Sequence, residues 1–139
     1  MMDKNAKIYV AGHTGLVGSS LVERLKAQGN TNLLLRTHEQ LDLTRQQDTE
    51  AFFQRERPDY VLVAAAKVGG IRANSEAPAD FFYQNMQIAT NVLWSALQNN
   101  VKKLLYLGSA CMYPRLCEQP MQEENLLTGI PEPTNEAYA

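Results

Sequence analysis

The sequence predicts an α/β fold, a doubly wound parallel sheet, and three features point there. The first is Ile8-Tyr9-Val10-Ala11-Gly12-His13-Thr14-Gly15-Leu16-Val17-Gly18, where a β-branched and aromatic run breaks at spaced glycines and continues into Leu21, Val22 and Leu25 at helical spacing. The second is Tyr60-Val61-Leu62-Val63-Ala64-Ala65-Ala66, the continuous apolar run that a central strand needs when both its faces are covered. The third is alternation: strand-like runs at 8–11, 33–36, 60–66 and 103–108 are separated by helix-like ones. That order implies right-handed crossovers and a strand sequence of 3-2-1-4-5.

Size and charge narrow the function classes. With 139 residues and 45% hydrophobic content, one core is expected and a second full domain is not. A net charge of −2 provides no basic field for nucleic acid or an anionic membrane surface. No apolar run approaches a membrane span, and Met1-Met2-Asp3-Lys4-Asn5 lacks the apolar stretch of a leader, so a cytoplasmic location is expected. Cys111 and Cys117 stand six positions apart without C-x-x-C spacing or histidines to complete a zinc site, so neither a disulfide nor a metal is expected.

In the first turn the glycines have separate tasks. Gly12 lets the chain reverse, Gly15 lets the backbone approach a pyrophosphate, and Gly18 brings the following helix close to its strand. The free N–H groups at the helix start then face the phosphates, in the manner of a Rossmann-type site, although the spacing here is G-x-x-G-x-x-G. Gly29-Asn30 stops that helix and Leu33–Arg36 reads as the second strand. Where NAD-selective sites carry an acid on the ribose hydroxyls, this chain has Arg36-Thr37-His38. A guanidinium suits a 2′-phosphate, which points to NADP(H); an exposed strand-end arginine is the competing reading, and His38 either assists or is merely solvated. Leu41-Asp42-Leu43 reads either as a very short third strand with Asp42 near an adenine edge or as a turn before Thr44.

From Gln46 to Arg57 the pattern is helical, with Ala51, Phe52 and Phe53 as apolar contacts, until Pro58-Asp59 breaks it. The small Ala64, Ala65 and Ala66 would let a cofactor lie against the end of the third major strand, where open α/β sheets bind ligands. Lys67–Asn74, with two glycines and two cations, is a loop that either closes over a substrate or is a mobile connection. From Ala79 to Asn99, Phe82, Met86, Ile88, Ala89, Val92, Leu93, Ala96 and Leu97 recur as a broad helical stripe that covers internal core or a second copy of the chain in a homodimer. Lys103–Gly108 is a further buried strand, and past Pro114 a long loop is punctuated by Pro120, Gly129, Pro131 and Pro133. At the strand end, the Ser109 hydroxyl is placed to hydrogen-bond a substrate carbonyl, though an ordinary strand-end serine looks the same.

Together, Gly12/Gly15/Gly18, the alanine-rich strand, Leu107-Gly108-Ser109 and Tyr138 resemble the extended short-chain dehydrogenase/reductases. Within them, Ala64-Ala65-Ala66-Lys67-Val68-Gly69-Gly70-Ile71, Tyr83-Gln84-Asn85-Met86, Ser109-Ala110-Cys111-Met112-Tyr113-Pro114 and Glu132-Pro133-Thr134-Asn135-Glu136 are similar to the GDP-L-fucose synthases. Those are NADPH-dependent enzymes that epimerise GDP-4-keto-6-deoxy-D-mannose at C3 and C5 and reduce C4. The resemblance implies that residues 12–18 are the phosphate turn, His38 to Leu43 the adenosine side, and Leu107, Gly108, Ser109 and Ala110 the nicotinamide side. It also implies that Ser109 and Tyr138 are catalytic and that Cys111 moves protons during epimerisation.

The chemistry suits those residue types, because a C4 ketone acidifies the C3 and C5 hydrogens and a thiol exchanges them once the enolate oxygen is held. The family's lysine four positions after the tyrosine would lie past Ala139. The chain is therefore expected to be an amino-terminal part, cut before the last strands and the nucleotide-sugar domain and inactive alone, with an exposed sheet edge. The alternatives are another nucleotide-sugar 4-epimerase or 4,6-dehydratase, or a truncated NADP-binding protein without catalysis.

Overall fold

A computed structural model describes residues 3–139. The elements are β1 (Ile8–Ala11), α1 (Leu16–Ala27), β2 (Leu33–Leu34), α2 (Gln46–Glu56), β3 (Tyr60–Val63), α3 (Ile71–Glu76), α4 (Pro78–Gln98) and β4 (Lys103–Tyr106), followed by three short 3₁₀ turns. The four strands form one parallel sheet in the order β2-β1-β3-β4. This is the doubly wound arrangement expected, without its outermost strand. The chain divides into two compact units, one running through Ala66 and resuming at Met86–Leu107, the other comprising Lys67–Asn85 and Gly108–Ala139.

The first unit contains the sheet. Alternate residues of β1 enter different clusters: Tyr9 and Ala11 pack with Phe52, Phe53, Val61, Val63 and Val92, while Ile8 and Val10 pack with Val22 and Leu25. All four β1 residues are buried, so the strand is covered on both faces. Tyr9 lies 4.7 Å from the Phe52 ring and 5.9 Å edge-on from Phe53, contacts worth about 0.5–1.5 kcal/mol each beyond their area. Burial pushes the Tyr9 hydroxyl well above the ordinary tyrosine range, with Arg36 opposing the shift.

At the opposite end of the strands Asp59 ties three of them together. Its carboxylate accepts from the Lys7 N–H at 2.9 Å and the Lys102 ammonium at 2.8 Å, while its own N–H donates to Lys7 O and its carbonyl accepts from Lys102 N–H. The Lys102 hydrogen bond and the Lys7 N–H hold the Asp59 carboxyl below its usual range.

Several expectations change in detail. Leu41-Asp42-Leu43 is not a strand: Leu41 and Leu43 are buried in the main cluster, and Asp42 Oδ1 accepts from both the Thr44 N–H (3.0 Å) and hydroxyl (2.7 Å). The local side-chain turn satisfies these groups without a neighbouring strand. The remaining strands are shorter than their apolar runs, because pairing ends at Val63 and Tyr106 while the chain continues apolar through Ala66 and Leu107. Helix α2 stops at Glu56, where Arg57 turns left-handed (φ 50°). The 67–74 loop is half helix, since α3 begins at Ile71.

The stripe on α4 divides into two. Phe81, Ile88, Val92, Ser95 and Ala96 are buried, whereas Phe82, Met86, Leu93 and Leu97 are exposed. Strand β4, expected to be buried, lies at the sheet margin with Leu105 exposed. Among the described residues no helix is long and apolar enough to cross a membrane.

Candidate functional site

The glycine turn brings the backbones of β1, α1 and the end of β3 into close approach. Gly12 has φ +79°, and a Cβ there would stand 2.5 Å from Ala64 O. A Cβ on Gly18 would stand 2.0 Å from Gly12 O, so helix α1 approaches β1 as closely as backbone allows. Gly15 is different: its nearest obstacle is Gly12 O at 3.4 Å, and the residue is exposed. The backbone thus leaves no room for a side chain at Gly12 or Gly18, whereas Gly15 has open space beside it.

Gly15 caps α1 with no side-chain hydrogen bond, and Leu16 and Val17 in the first turn are exposed. The N–H groups of Leu16, Val17 and Gly18 thus have no partner within the helix and no cap. Thr14 is exposed beside them, and His13 Nδ1 is buried without a hydrogen-bond partner. Uncapped donors, a positive helix end and an unpaired buried nitrogen fit a dinucleotide's pyrophosphate.

Arg36, expected to meet the cofactor, has partners of its own. Its guanidinium donates to Glu56 Oε1 at 3.1 Å and to Leu35 O at 2.9 Å and lies 5.7 Å over the Phe52 ring. Glu56 also takes Arg55, so this carboxylate anchors two arginines. His38 stands 3.8 Å from Asp42 and is largely exposed. Asp42 titrates below the usual range: partial burial opposes the shift, and the Thr44 hydrogen bonds, with His38 and Arg45, outweigh it. Leu43 is fixed through its carbonyl, which accepts from Asn91 at 2.9 Å. At the end of β3, Ala64 N–H bonds Ala11 O; Ala64 and Ala65 are half-buried and Ala66 is exposed.

The second unit contains the residues expected to meet a substrate. Leu107, the last residue of the first unit, bonds Val63 O, and Gly108 follows it with Met112 folded back so that a Cβ would meet its methyl at 2.7 Å. Ser109 caps the turn Ala110–Met112, its Oγ accepting from the Cys111 N–H at 3.1 Å. That bond uses an acceptor site and leaves the hydroxyl proton available to donate. Cys111 is a half-buried free thiol, as is Cys117. Tyr138 is half-buried, its N–H on Asn135 O at the end of the Pro133–Asn135 turn.

Sequence reading gave no role to Asn74, Asn85 or Glu56. Asparagines inside helices, where their propensity is poor, are the signal for the first two. Among the described residues no cluster of side chains is arranged to hold a metal ion.

The model of the NAD dependent epimerase/dehydratase family matches residues 8–139. GDP-L-fucose synthase 1 of Arabidopsis thaliana is 61% identical over 139 residues, all of this chain and 43% of that protein. The GDP-L-fucose synthase of Escherichia coli (strain K12) is 52% identical over 133 residues, 96% of this chain and 41% of that protein. Among solved structures, a GDP-mannoheptose C4 reductase from Campylobacter jejuni with NADP bound is similar with a TM-score of 0.95 and 43% identity, covering 99% of this chain and 44% of that one. The chain spans about two-fifths of the length of the curated relatives it matches.

Proposed function

This chain belongs to the NAD dependent epimerase/dehydratase family, and from that premise we propose that it is the NADP(H)-binding part of a GDP-sugar 3,5-epimerase/4-reductase of the GDP-L-fucose synthase type. The observation that carries the reading is a likeness to the Arabidopsis thaliana enzyme that spans the whole of this chain at 61% identity. The clearance at Gly15 and the uncapped start of α1 support it independently.

In this reading residues 12–18 hold the pyrophosphate, and His38, Asp42 and Leu43 border the adenosine. Arg36 meets the 2′-phosphate, sharing its five donors between that group and Glu56. Ala64, Ala65, Ala66 and Leu107 to Ala110 line the nicotinamide. Bound NADPH supplies a hydride for C4. Ser109 donates its free hydroxyl proton toward the substrate oxygen while its lone pair stays on the Cys111 N–H, so one hydroxyl sets both the carbonyl and the thiol's backbone. Cys111 acts as acid/base on one face of the acidified C3 and C5 carbons, the opposite face being served by a histidine that the resemblance puts later in the complete protein, and Tyr138 protonates the C4 oxygen.

The substrate is GDP-4-keto-6-deoxy-D-mannose. The exposed face of α4, with Phe82, Met86, Leu93 and Leu97, pairs two copies into a homodimer in the cytoplasm.

The test is Cys111→Ser in the complete protein. The reading expects loss of solvent-deuterium incorporation at C3 and C5 while an already epimerised ketone is still reduced. Unchanged incorporation would remove Cys111 from the chemistry. It would favour simple C4 reduction, the activity named for the Campylobacter jejuni structure.

A further inference from the structure

The chain from Lys67 to Gly70 leaves the sheet and enters α3 without regular structure, so its peptide groups need partners elsewhere. Two asparagines supply them. Asn85, on α4, accepts from the Lys67 N–H with Oδ1 at 2.7 Å and donates to the Lys67 carbonyl with Nδ2 at 3.0 Å. That pair of bonds imitates a neighbouring strand. Asn74, on α3 and only 4% exposed, donates through Nδ2 to the carbonyls of Gly69 (3.1 Å) and Gly70 (3.2 Å). Phe81 lies beneath: a Cβ on Gly69 would stand 2.8 Å from its ring, and the Lys67 ammonium sits 5.9 Å from the ring centre.

Four backbone groups within four residues are thus held by two side-chain amides, leaving Val68 and Ile71 as outward apolar side chains. Helix α3 in turn packs on the Pro133–Asn135 turn that leads to Tyr138.

We propose that Asn74 and Asn85 are positioning residues for the reductase site, holding Lys67–Gly70 as a fixed wall in place of a closing loop. The proposal rests on the reading above for the reaction it serves, while the clamp itself is a property of the free chain. The geometry separates the two protonation states of an Asn85→Asp variant. As a neutral acid, aspartate accepts from the Lys67 N–H and donates its O–H to the Lys67 carbonyl, keeping both bonds. As a carboxylate it loses the second and repels that carbonyl. The charged groups on the elements that carry the clamp include the Lys67 ammonium over Phe81, Asp80, which accepts from Gln84, and the Arg72–Glu76 pair on α3.

The test uses the complete protein, with circular dichroism confirming that each variant is folded. For Asn85→Asp at pH 8, kcat for ketone reduction falls at least about tenfold, with the NADPH dissociation constant little changed, and the ratio to wild type rises as pH falls toward the ordinary carboxyl range of about 4. Asn74→Leu lowers kcat by a similar factor at every pH. Amide exchange at Lys67 is slowed in the wild type and fast in Asn85→Leu.

A kcat ratio that is flat with pH and near unity would overturn the proposal, as would an unprotected Lys67 amide in the wild type. If the wild type reduces no GDP-keto sugar, the proposed function fails instead, and the Lys67 exchange rate still decides whether the clamp exists.

Discussion

Each of the two units of this chain is held together internally by a different kind of force. The first buries two apolar clusters against both faces of a parallel sheet, with Ile8, Tyr9, Val10, Phe53, Val61 and Val92 at or near zero exposure. In the second, Asn74 and Phe81 are the buried residues among those described. Its form rests on side-chain hydrogen bonds to backbone, on short 3₁₀ turns and on proline-punctuated loops. The first unit is held by buried area, the second by directed hydrogen bonds.

Breaking each kind of support gives the largest contrast. Phe53→Ala removes a fully buried ring and is expected to cost about 3–5 kcal/mol, read from urea unfolding. Leu116→Ala in the second unit, at 93% exposure, is expected to stay within about 0.5 kcal/mol. Equal losses would dissolve the distinction.

Next in size are the glycines. Gly18→Ala forces a Cβ into Gly12 O, costing about 1–3 kcal/mol by overpacking and abolishing NADPH binding. Gly15→Ala meets nothing closer than 3.4 Å, so its stability loss is at most about 1 kcal/mol while affinity falls. A Gly15→Ala chain that binds NADPH as well as wild type would show that the clearance serves no ligand.

A smaller effect sharpens the adenosine side. Arg36→Leu is expected to reduce the NADPH over NADH preference about tenfold, measured by paired titrations, and Glu56→Gln to preserve or raise it by freeing the guanidinium. An unchanged preference in Arg36→Leu would leave the arginine as a support for Glu56 and Phe52 alone.

The smallest is acid lability at the base of the sheet. Because the folded-state pKa of Asp59 is depressed, its contribution is present above the ordinary value of 3.8 and lost as pH falls through the folded one. The raised Lys102 contributes below its ordinary 10.5 and loses that contribution only above it. Asp59→Asn should therefore lower the melting temperature slightly and evenly at pH 7 to 9, where the contribution is fully present, and flatten the drop below about pH 4.

The same contrast governs what could be read from the residues alone. β1, α1, α2, β3 and α4 were legible because burial on a sheet imposes a period, and the glycine turn because backbone contact at Gly12 and Gly18 admits no side chain. Leu41-Asp42-Leu43 was legible only as two alternatives, a strand by its alternation or a turn before Thr44, and the Asp42 side chain decides for the turn by satisfying the Thr44 groups locally. The Arg36–Glu56 pair joins residues twenty positions apart, and the Asn85–Lys67 bonds join residues eighteen apart, so neither has a local pattern to read. Tyr83-Gln84-Asn85-Met86 could be quoted as a motif, but only the fold shows the backbone that Asn85 holds.

The central claim is that the first unit grips a dinucleotide's diphosphate through the start of α1. Its most direct test is titration of NADPH, with NADH in parallel, into the folded chain and into Gly18→Ala, followed by nucleotide fluorescence. The account predicts saturation at one nucleotide per chain, tighter for NADPH and lost in Gly18→Ala. A folded chain that binds neither nucleotide, or a Gly18→Ala chain that binds both as before, would contradict it.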